Sequence, residues 1–135
     1  MVLQLKIGSD ICSVERIMSV YEKYGQRFLR RILTEREKAY VESRALSNDS
    51  LRSRRLSQAL AARFAAKEAT AKALGTGWRG IDWKEVEVVN ASSGAPQINL
   101  SGRAKHLFVQ LGFKNIEISL SHEQDYALAM VVMYK

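Results

Sequence analysis

The chain has 135 residues, of which 47% are hydrophobic, with one proline and a formal net charge of +7. This length suffices for one domain with its own core, which we assign to residues 1–135, and the single cysteine, Cys12, excludes an internal disulfide and predicts a buried, inert thiol. There is no signal-peptide pattern and no apolar run near the ~18 residues of a membrane helix, so we expect a cytoplasmic protein.

The apolar pattern predicts strands and helices in an α+β order. The predicted elements are, in chain order, a strand at 2–7, a helix at 13–24, a helix that opens at Thr34, a long alanine-rich helix ending near Leu74, strands at 86–89 and 97–100, a short helix capped by Ser101 and ending at Gly112, and strands at 116–120 and 126–133. Thr34 and Glu37 have the spacing of a capping box. We therefore predict a mainly antiparallel sheet packed against the long helix and the shorter ones.

The long helix has no ordinary solvent face. At about 100° per residue, its large apolar residues form one stripe and its alanines form a second face behind it. A helix that is apolar on both sides is usually buried. Lys67 falls within the stripe and so needs a buried partner. Glu68 and Lys72, at i and i+4, lie together at its edge, where they either pair with each other or serve a site.

Asp10 follows the first predicted strand in a Gly-x-Asp sequence. The end of a strand is a common place for a catalytic or metal-ligating carboxylate. Aspartate also caps helices and closes turns, so this residue by itself leaves both interpretations open.

Taken together, these stretches resemble the holo-(acyl-carrier-protein) synthases, the short single-domain class of 4′-phosphopantetheinyl transferases. The matching sequences are IGSDI at 7–11 with RI at 16–17, RF at 27–28 with RILT at 31–34, RFAAKEA at 63–69 with KA at 72–73 and GTG at 75–77, GAP at 94–96, and SLSH at 119–122 with YALA at 126–129. The resemblance spans nearly the whole chain. It implies the fold of that family and transfer of the phosphopantetheine arm of coenzyme A to a serine of apo acyl carrier protein, with 3′,5′-ADP as the other product.

The resemblance also implies the roles of individual residues. Asp10, Glu68 and Lys72 match the catalytic residues, with Asp10 and Glu68 as ligands of Mg²⁺. The coenzyme A site would comprise Arg54, Arg55, Arg63, Lys72, Gly94, Pro96 and His122. Arg16, Arg27 and Phe28 match the surface that receives the carrier protein. Family members of this size are homotrimers with sites at subunit junctions.

The positive charge is concentrated in one stretch, which agrees with an acidic partner. Residues 16–63 carry 12 Lys and Arg against 5 Asp and Glu, whereas the rest of the chain carries 9 of each. Such a field attracts acidic partners and speeds their encounter. The alternative is a non-enzymatic basic RNA-binding module. No zinc-finger spacing is present and few aromatic residues alternate with these arginines, so we expect no nucleic acid among the partners. Since no apolar run is long enough for a membrane helix, we expect no membrane partner either.

Overall fold

The computed structural model describes the backbone of residues 4–44 and 49–135 and, within these ranges, every side chain except those of 49–53. The elements are, in chain order, β1 (Leu5–Ser13), α1 (Val14–Tyr24), α2 (Gln26–Ile32), α3 (Glu35–Ser43), α4 (Asp49–Leu74), a short 3-10 helix (Trp83–Glu85), β2 (Val86–Asn90), β3 (Pro96–Leu100), α5 (Gly102–Gln110), β4 (Asn115–His122) and β5 (Tyr126–Tyr134). In the described ranges no helix is both long and apolar enough to cross a membrane, and the cytoplasmic location stays a prediction.

A three-stranded antiparallel sheet in the order β1-β5-β4 covers one side of α4, while β2 and β3 pair separately as a hairpin. The inner face of the central strand β5 is fully buried through Ala127, Ala129, Val131 and Met133. Most of these side chains are small, as are the alanines of α4, so helix and sheet approach closely. The predicted α+β fold with a mainly antiparallel sheet is confirmed.

The backbones of β1 and α4 lie very close together at Gly8. A Cβ atom built there would collide with the carbonyl oxygen of Ala69 and the amide nitrogen of Ala73. Any side chain at this position would push the strand away from the helix. Because alternate residues of a strand share a face, Asp10 and Cys12 lie on the same side of β1 as Gly8, toward α4.

The first strand extends further than the sequence predicts, and this corrects the position of Asp10. Of the predicted strand at 2–7, residues 2 and 3 lie outside the described ranges, and β1 continues to Ser13. Gly8 and Asp10 have low strand propensity, but Gly8 pairs with Val131 and Asp10 with Ala129. Pairing with β5 overrides local propensity, so Asp10 lies within the strand rather than at its end.

The three predicted helix starts are borne out, and a side chain caps the helix at two of them. Ser13 accepts a hydrogen bond from the Arg16 amide at the start of α1, and Thr34 and Glu37 form the reciprocal capping box of α3. The long helix α4 ends at Leu74, as predicted.

The start of α5 is at the predicted residue, but its capping hydrogen bond differs from the prediction. Ser101 takes the N-cap position, but its side chain makes no capping hydrogen bond. The carboxylate of Glu85, from the neighbouring 3-10 helix, accepts a hydrogen bond from the Arg103 amide instead. A tertiary contact thus supplies the cap that a local side chain was expected to supply. The short helix α2 and the 3-10 helix were not predicted.

Lys67 has the buried partners that its place in α4 requires. Its side chain is 0% exposed, and Nζ donates hydrogen bonds to Glu37 Oε1 at 2.8 Å and to the carbonyl oxygens of Trp83 at 2.9 Å and Val86 at 2.5 Å. The other oxygen of Glu37 accepts from the Val88 amide at 2.9 Å. Burial lowers the pKa of Lys67, and the Glu37 carboxylate opposes this effect. The buried ammonium therefore joins α4 to α3 and to the β2 strand.

Candidate active site

Asp10, Glu68 and Lys72 are brought together where β1 crosses α4. Lys72 Nζ lies 3.1 Å from Asp10 Oδ1 and donates a further hydrogen bond of 3.0 Å to the carbonyl oxygen of Ser9. Of the two interpretations of the Glu68 and Lys72 spacing, the structure favours the site, because Lys72 reaches across to the strand instead of pairing along its own helix. The Lys72 side chain remains 54% exposed, so its ammonium is open to a ligand.

The buried thiol of Cys12 lies two residues after Asp10, on the side of β1 that faces α4. Burial is the largest cause that raises the pKa of Cys12 from 9.0 to about 11, and the negative charges of Asp10 and Glu68 act in the same direction, while Arg16 opposes them. As predicted, this cysteine is free and buried. One carboxylate from β1 and one from α4 therefore both add negative charge to the surroundings of this thiol.

This donor set fits Mg²⁺, which prefers hard oxygen ligands and is commonly held by one or two carboxylates together with phosphate oxygens and water. In the described residues no group of three or more Asp, Glu, His or Cys side chains is arranged to hold a metal ion. A cation held here would therefore take its remaining ligands from substrate and solvent. The Lys72 ammonium lies beside the Asp10 carboxylate, which shows that a positive charge is stable at this carboxylate.

A second group of predicted residues lines a cleft of about 250 Å³, called here the basic cleft. Its lining residues are Tyr40, Arg44, Arg55, Gln58, Ala59, Ala62, Arg63, Asn90, Gly94, Pro96, Leu120 and His122. Most of the predicted coenzyme A residues are thus together, but Arg54 is not part of this lining and Lys72 lies with the carboxylates. Among the residues that the structure describes, three arginines and no carboxylate line the cleft, so it suits a ligand with several negative charges.

Arg63 organises the basic cleft although it is only 4% exposed. Its Nη2 donates to Asn90 Oδ1 at 2.9 Å, and its guanidinium carbon lies 3.9 Å from the centre of the Tyr40 ring. Asn90 Nδ2 donates in turn to the carbonyl oxygen of Gly94 at 3.0 Å. Burial lowers the pKa of Arg63, with Tyr40 and Glu37 opposing. One buried arginine therefore fixes both α3 and the β2–β3 turn at the cleft.

Sequence reasoning missed Tyr40, Arg44 and Asn90 as residues of this cleft. Tyr40 and Arg44 are four residues apart and the Arg44 guanidinium lies 6.0 Å from the Tyr40 ring, so an aromatic and basic pair at i and i+4 was the available signal. Asn90 ends β2 immediately before the predicted turn, and nothing local separates it from an ordinary turn residue.

A larger, more apolar cleft of about 780 Å³ lies among α1, α2, α4 and the 3-10 helix and is called here the apolar cleft. Its lining residues are Val20, Tyr24, Arg27, Phe28, Arg30, Arg31, Ile32, Phe64 and Trp83. It contains two of the three predicted carrier-protein residues, Arg27 and Phe28, whereas Arg16 is exposed on the first turn of α1 outside it. Apolar walls with arginines suit a partner that presents an apolar side chain among acidic residues.

Comparison with known proteins identifies the family to which this chain belongs. Residues 6–131 match the model of the 4′-phosphopantetheinyl transferase superfamily. A holo-[acyl-carrier-protein] synthase from Gloeobacter violaceus is 44% identical over 126 residues, which are 93% of this chain and 89% of the relative. The crystal structure of the holo-[acyl-carrier-protein] synthase from Neisseria meningitidis has 35% identity and a TM-score of 0.78, covering 96% of this chain and 98% of that one.

A second solved structure has a ligand. The holo-(acyl-carrier-protein) synthase from Bacillus anthracis, in complex with CoA (3′,5′-ADP), is 32% identical with a TM-score of 0.76 and covers 98% of both chains. These matches span both sequence motifs and both clefts. The chain therefore belongs to the 4′-phosphopantetheinyl transferase superfamily and, within it, to the holo-[acyl-carrier-protein] synthases.

Proposed function

We propose that Asp10, Glu68 and Lys72 form the centre at which this transferase moves the 4′-phosphopantetheine arm of coenzyme A to a serine hydroxyl of an apo acyl carrier protein. In this reaction the serine oxygen bonds to the phosphorus, and the bond from that phosphorus to 3′,5′-ADP breaks. The observation that carries the proposal is the contact between Lys72 of α4 and Asp10 of β1, with Glu68 one helical turn before Lys72 on the same helix. Family membership decides against the RNA-binding alternative.

Attack on a phosphorus atom surrounded by anionic oxygens requires neutralised charge and an in-line arrangement of the reacting groups. Asp10 and Glu68 would hold Mg²⁺, which when bound neutralises pyrophosphate charge. Glu68 accepts the proton of the serine hydroxyl, directly or through one water molecule. Lys72, exposed beside Asp10, binds the pyrophosphate and neutralises the departing 3′,5′-ADP.

We assign the 3′,5′-ADP end of coenzyme A to the basic cleft. Arg55 is exposed at its edge and Arg63 lies beneath, with an Nε atom that has no hydrogen-bond partner among the described groups. Guanidinium forks bind phosphate oxygens in pairs, which suits the ribose 3′-phosphate. Gly94 and Pro96, which line the same cleft, border the pantetheine arm, and His122 contributes a further contact with coenzyme A. Arg54, half-buried and next to Arg55, keeps its proposed contact with the 3′-phosphate although it does not line the cleft.

We assign the docking of the acidic carrier protein to the apolar cleft and the arginines around it. Arg27 contributes charge and Phe28 contributes apolar wall, and the exposed Arg16 extends the basic surface along α1 toward Asp10. Charges at the edge of an interface act mainly on encounter and orientation, whereas the apolar interior supplies most of the binding free energy. The serine would thereby be presented near the carboxylate pair.

We further propose a homotrimer with its sites at subunit junctions. Arg63 and Glu68 are five residues apart in α4, which corresponds to about 140° of rotation, so they point to different sides of the helix. The basic cleft of one subunit would therefore complete the carboxylate pair of a neighbour. The outer face of the sheet supports this assembly, because Ile11 is 64% exposed, Tyr126 54% and Met130 45%. An exposed face this apolar is typical of a protein interface, and in a closed three-fold assembly neighbouring subunits would bury it.

The mass gain of an apo carrier protein incubated with coenzyme A and Mg²⁺ tests the catalytic centre. We expect Asp10→Ala and Glu68→Ala each to slow transfer by about 100-fold or more, because each removes charge stabilisation from the reacting groups. Glu35→Ala, which removes an exposed carboxylate on α3, is the matched control and should leave the rate within about threefold of wild type. A rate within threefold for either active-site variant would contradict the assignment.

Mixed oligomers test the subunit junction. We expect Arg55→Ala and Glu68→Ala subunits to be poorly active alone and to recover transfer when co-expressed, since a junction between the two kinds of subunit can have both residues intact. If each chain contains a complete site, co-expression restores no transfer activity. That result would remove the junction from the proposal and leave the catalytic residues in place.

A further inference from the structure

The loop after α4 returns toward the helix and brings an aromatic side chain to the carboxylate pair. Gly77 has a φ of +57°, and its amide donates to the carbonyl oxygen of Ala71 at 3.3 Å. This backbone conformation is easy for glycine and strained for other residues. The next residue, Trp78, is half-buried beside the last turns of α4.

The indole of Trp78 holds one oxygen of Glu68. Its Nε1–H donates to Glu68 Oε1 at 3.2 Å, and within the described residues this is the hydrogen bond that the Glu68 carboxylate makes. A glutamate side chain has three rotatable bonds, so without a partner its carboxylate samples several positions. One donor to Oε1 selects among them and leaves Oε2 free.

The indole is itself held in place by the core. The rings of Trp78 and Trp83 stack with centroids 3.8 Å apart and an interplanar angle of 23°, and Trp83 stacks on Phe64 at 5.1 Å. The backbone carbonyl of Trp83 accepts a hydrogen bond from the buried Lys67. The N–H that reaches Glu68 is therefore directed by packing, not by a mobile loop side chain.

We infer that Trp78 is a positioning residue for Glu68, and that its indole N–H orients this carboxylate to bind the divalent cation. The inference rests on the proposed metal-binding role of Glu68. Carboxylates that bind metals are commonly fixed by a second hydrogen bond, and loss of such a partner typically costs about 10–100-fold in metal affinity or activity. Trp83 supplies a stacking surface and no hydrogen bond to Glu68, because its indole N–H makes no hydrogen bond in the described part of the chain.

Binding of Mn²⁺, followed by electron paramagnetic resonance with coenzyme A present and carrier protein absent, tests the inference without turnover. Trp78→Phe keeps an aromatic ring against Trp83 and removes the N–H, and we expect it to weaken Mn²⁺ binding about 10–100-fold. Trp83→Phe is the matched control and should change the affinity by less than about threefold. Glu68→Ala should abolish the binding.

The outcomes separate this inference from the metal site itself. Equal Mn²⁺ binding by wild type and Glu68→Ala, or no binding by wild type, would overturn the metal site and the inference with it. Loss of binding in Glu68→Ala but not in Trp78→Phe would overturn the positioning role alone. Equal losses in Trp78→Phe and Trp83→Phe would also overturn it, because they would indicate general disturbance of the aromatic stack.

A second measurement covers the case in which Trp78→Phe folds poorly. In Trp83→Phe, benzothienylalanine can replace the one remaining tryptophan and exchanges the N–H for sulfur with nearly the same shape. We expect the same weakening of Mn²⁺ binding. In addition, Mg²⁺ should shift the Trp78 indole N–H resonance of ¹⁵N-labelled wild-type protein more than that of Trp83. Unchanged affinity in the benzothienylalanine protein, or an unmoved Trp78 resonance, would refute the positioning role.

Discussion

Replacement of the buried Lys67 with methionine should cost the protein much of its stability. The change keeps a long apolar side chain but removes the ammonium, so the Glu37 carboxylate, only 1% exposed, loses its counter-charge. The carbonyl oxygens of Trp83 and Val86 lose their donor as well. Removal of one partner of a buried ion pair typically costs about 3–5 kcal/mol, a large part of the ~5–15 kcal/mol that stabilises an ordinary domain.

Lys72→Met is the matched control, because the same chemical change is made 5 residues along the same helix. Within the described residues Lys72 makes one ion pair, and its side chain is 54% exposed, so its loss should reduce the free energy of unfolding by no more than about 1 kcal/mol. The two variants should therefore lose different properties. Lys67→Met loses stability, whereas Lys72→Met keeps stability and loses transfer by about 100-fold or more.

Urea unfolding, followed by far-UV circular dichroism at one protein concentration, measures both stabilities, and the mass-gain assay measures transfer by the folded fraction. A loss below about 1 kcal/mol in Lys67→Met would refute the reasoning, since it would mean that the Glu37 carboxylate finds water or another donor without cost. Equal loss of stability in both lysine variants would refute it too.

Three further predictions concern docking, assembly and pH. Arg27→Glu should raise the KM for carrier protein and make that KM less dependent on salt, with little change in the KM for coenzyme A. Arg55→Glu should raise the KM for coenzyme A and leave the KM for carrier protein nearly unchanged. If both variants changed the two KM values in the same way, the two assigned surfaces would be contradicted. Met130→Glu should lower both the mass measured by light scattering and the transfer rate, and a fully active monomer would disprove the trimer. Because folding raises the pKa of Cys12 from 9.0 to about 11, native protein should react with iodoacetamide at pH 9 far more slowly than protein in urea. The stability that this shift contributes is fully present below pH 9 and is lost as the pH rises toward 11; equal rates with and without urea would contradict the burial.

Local signals in the sequence were reliable where neighbouring residues decide the structure. The capping box of Thr34 and Glu37 and the end of α4 at Leu74 depend on backbone groups within one helical turn, and both are observed as predicted. The burial of Lys67 also followed from its place in the apolar stripe. Its partner, Glu37, is 30 residues away on another helix, and no local pattern identifies such a pair.

The sequence by itself determined the family, the α+β order and the candidate residues Asp10, Glu68 and Lys72. Motifs and apolar periodicity consist of residue types at fixed spacings, so they can be recognised without a structure. Only the tertiary structure decided that Asp10 lies within a strand, where pairing with β5 outweighs the low propensity of Gly8 and Asp10. It also decided that Lys72 pairs with Asp10 and that Trp78 reaches Glu68. These contacts depend on how closely β1 and the loop after α4 pack against one helix. Packing of that kind is set by the whole core and cannot be read from any single stretch of the chain.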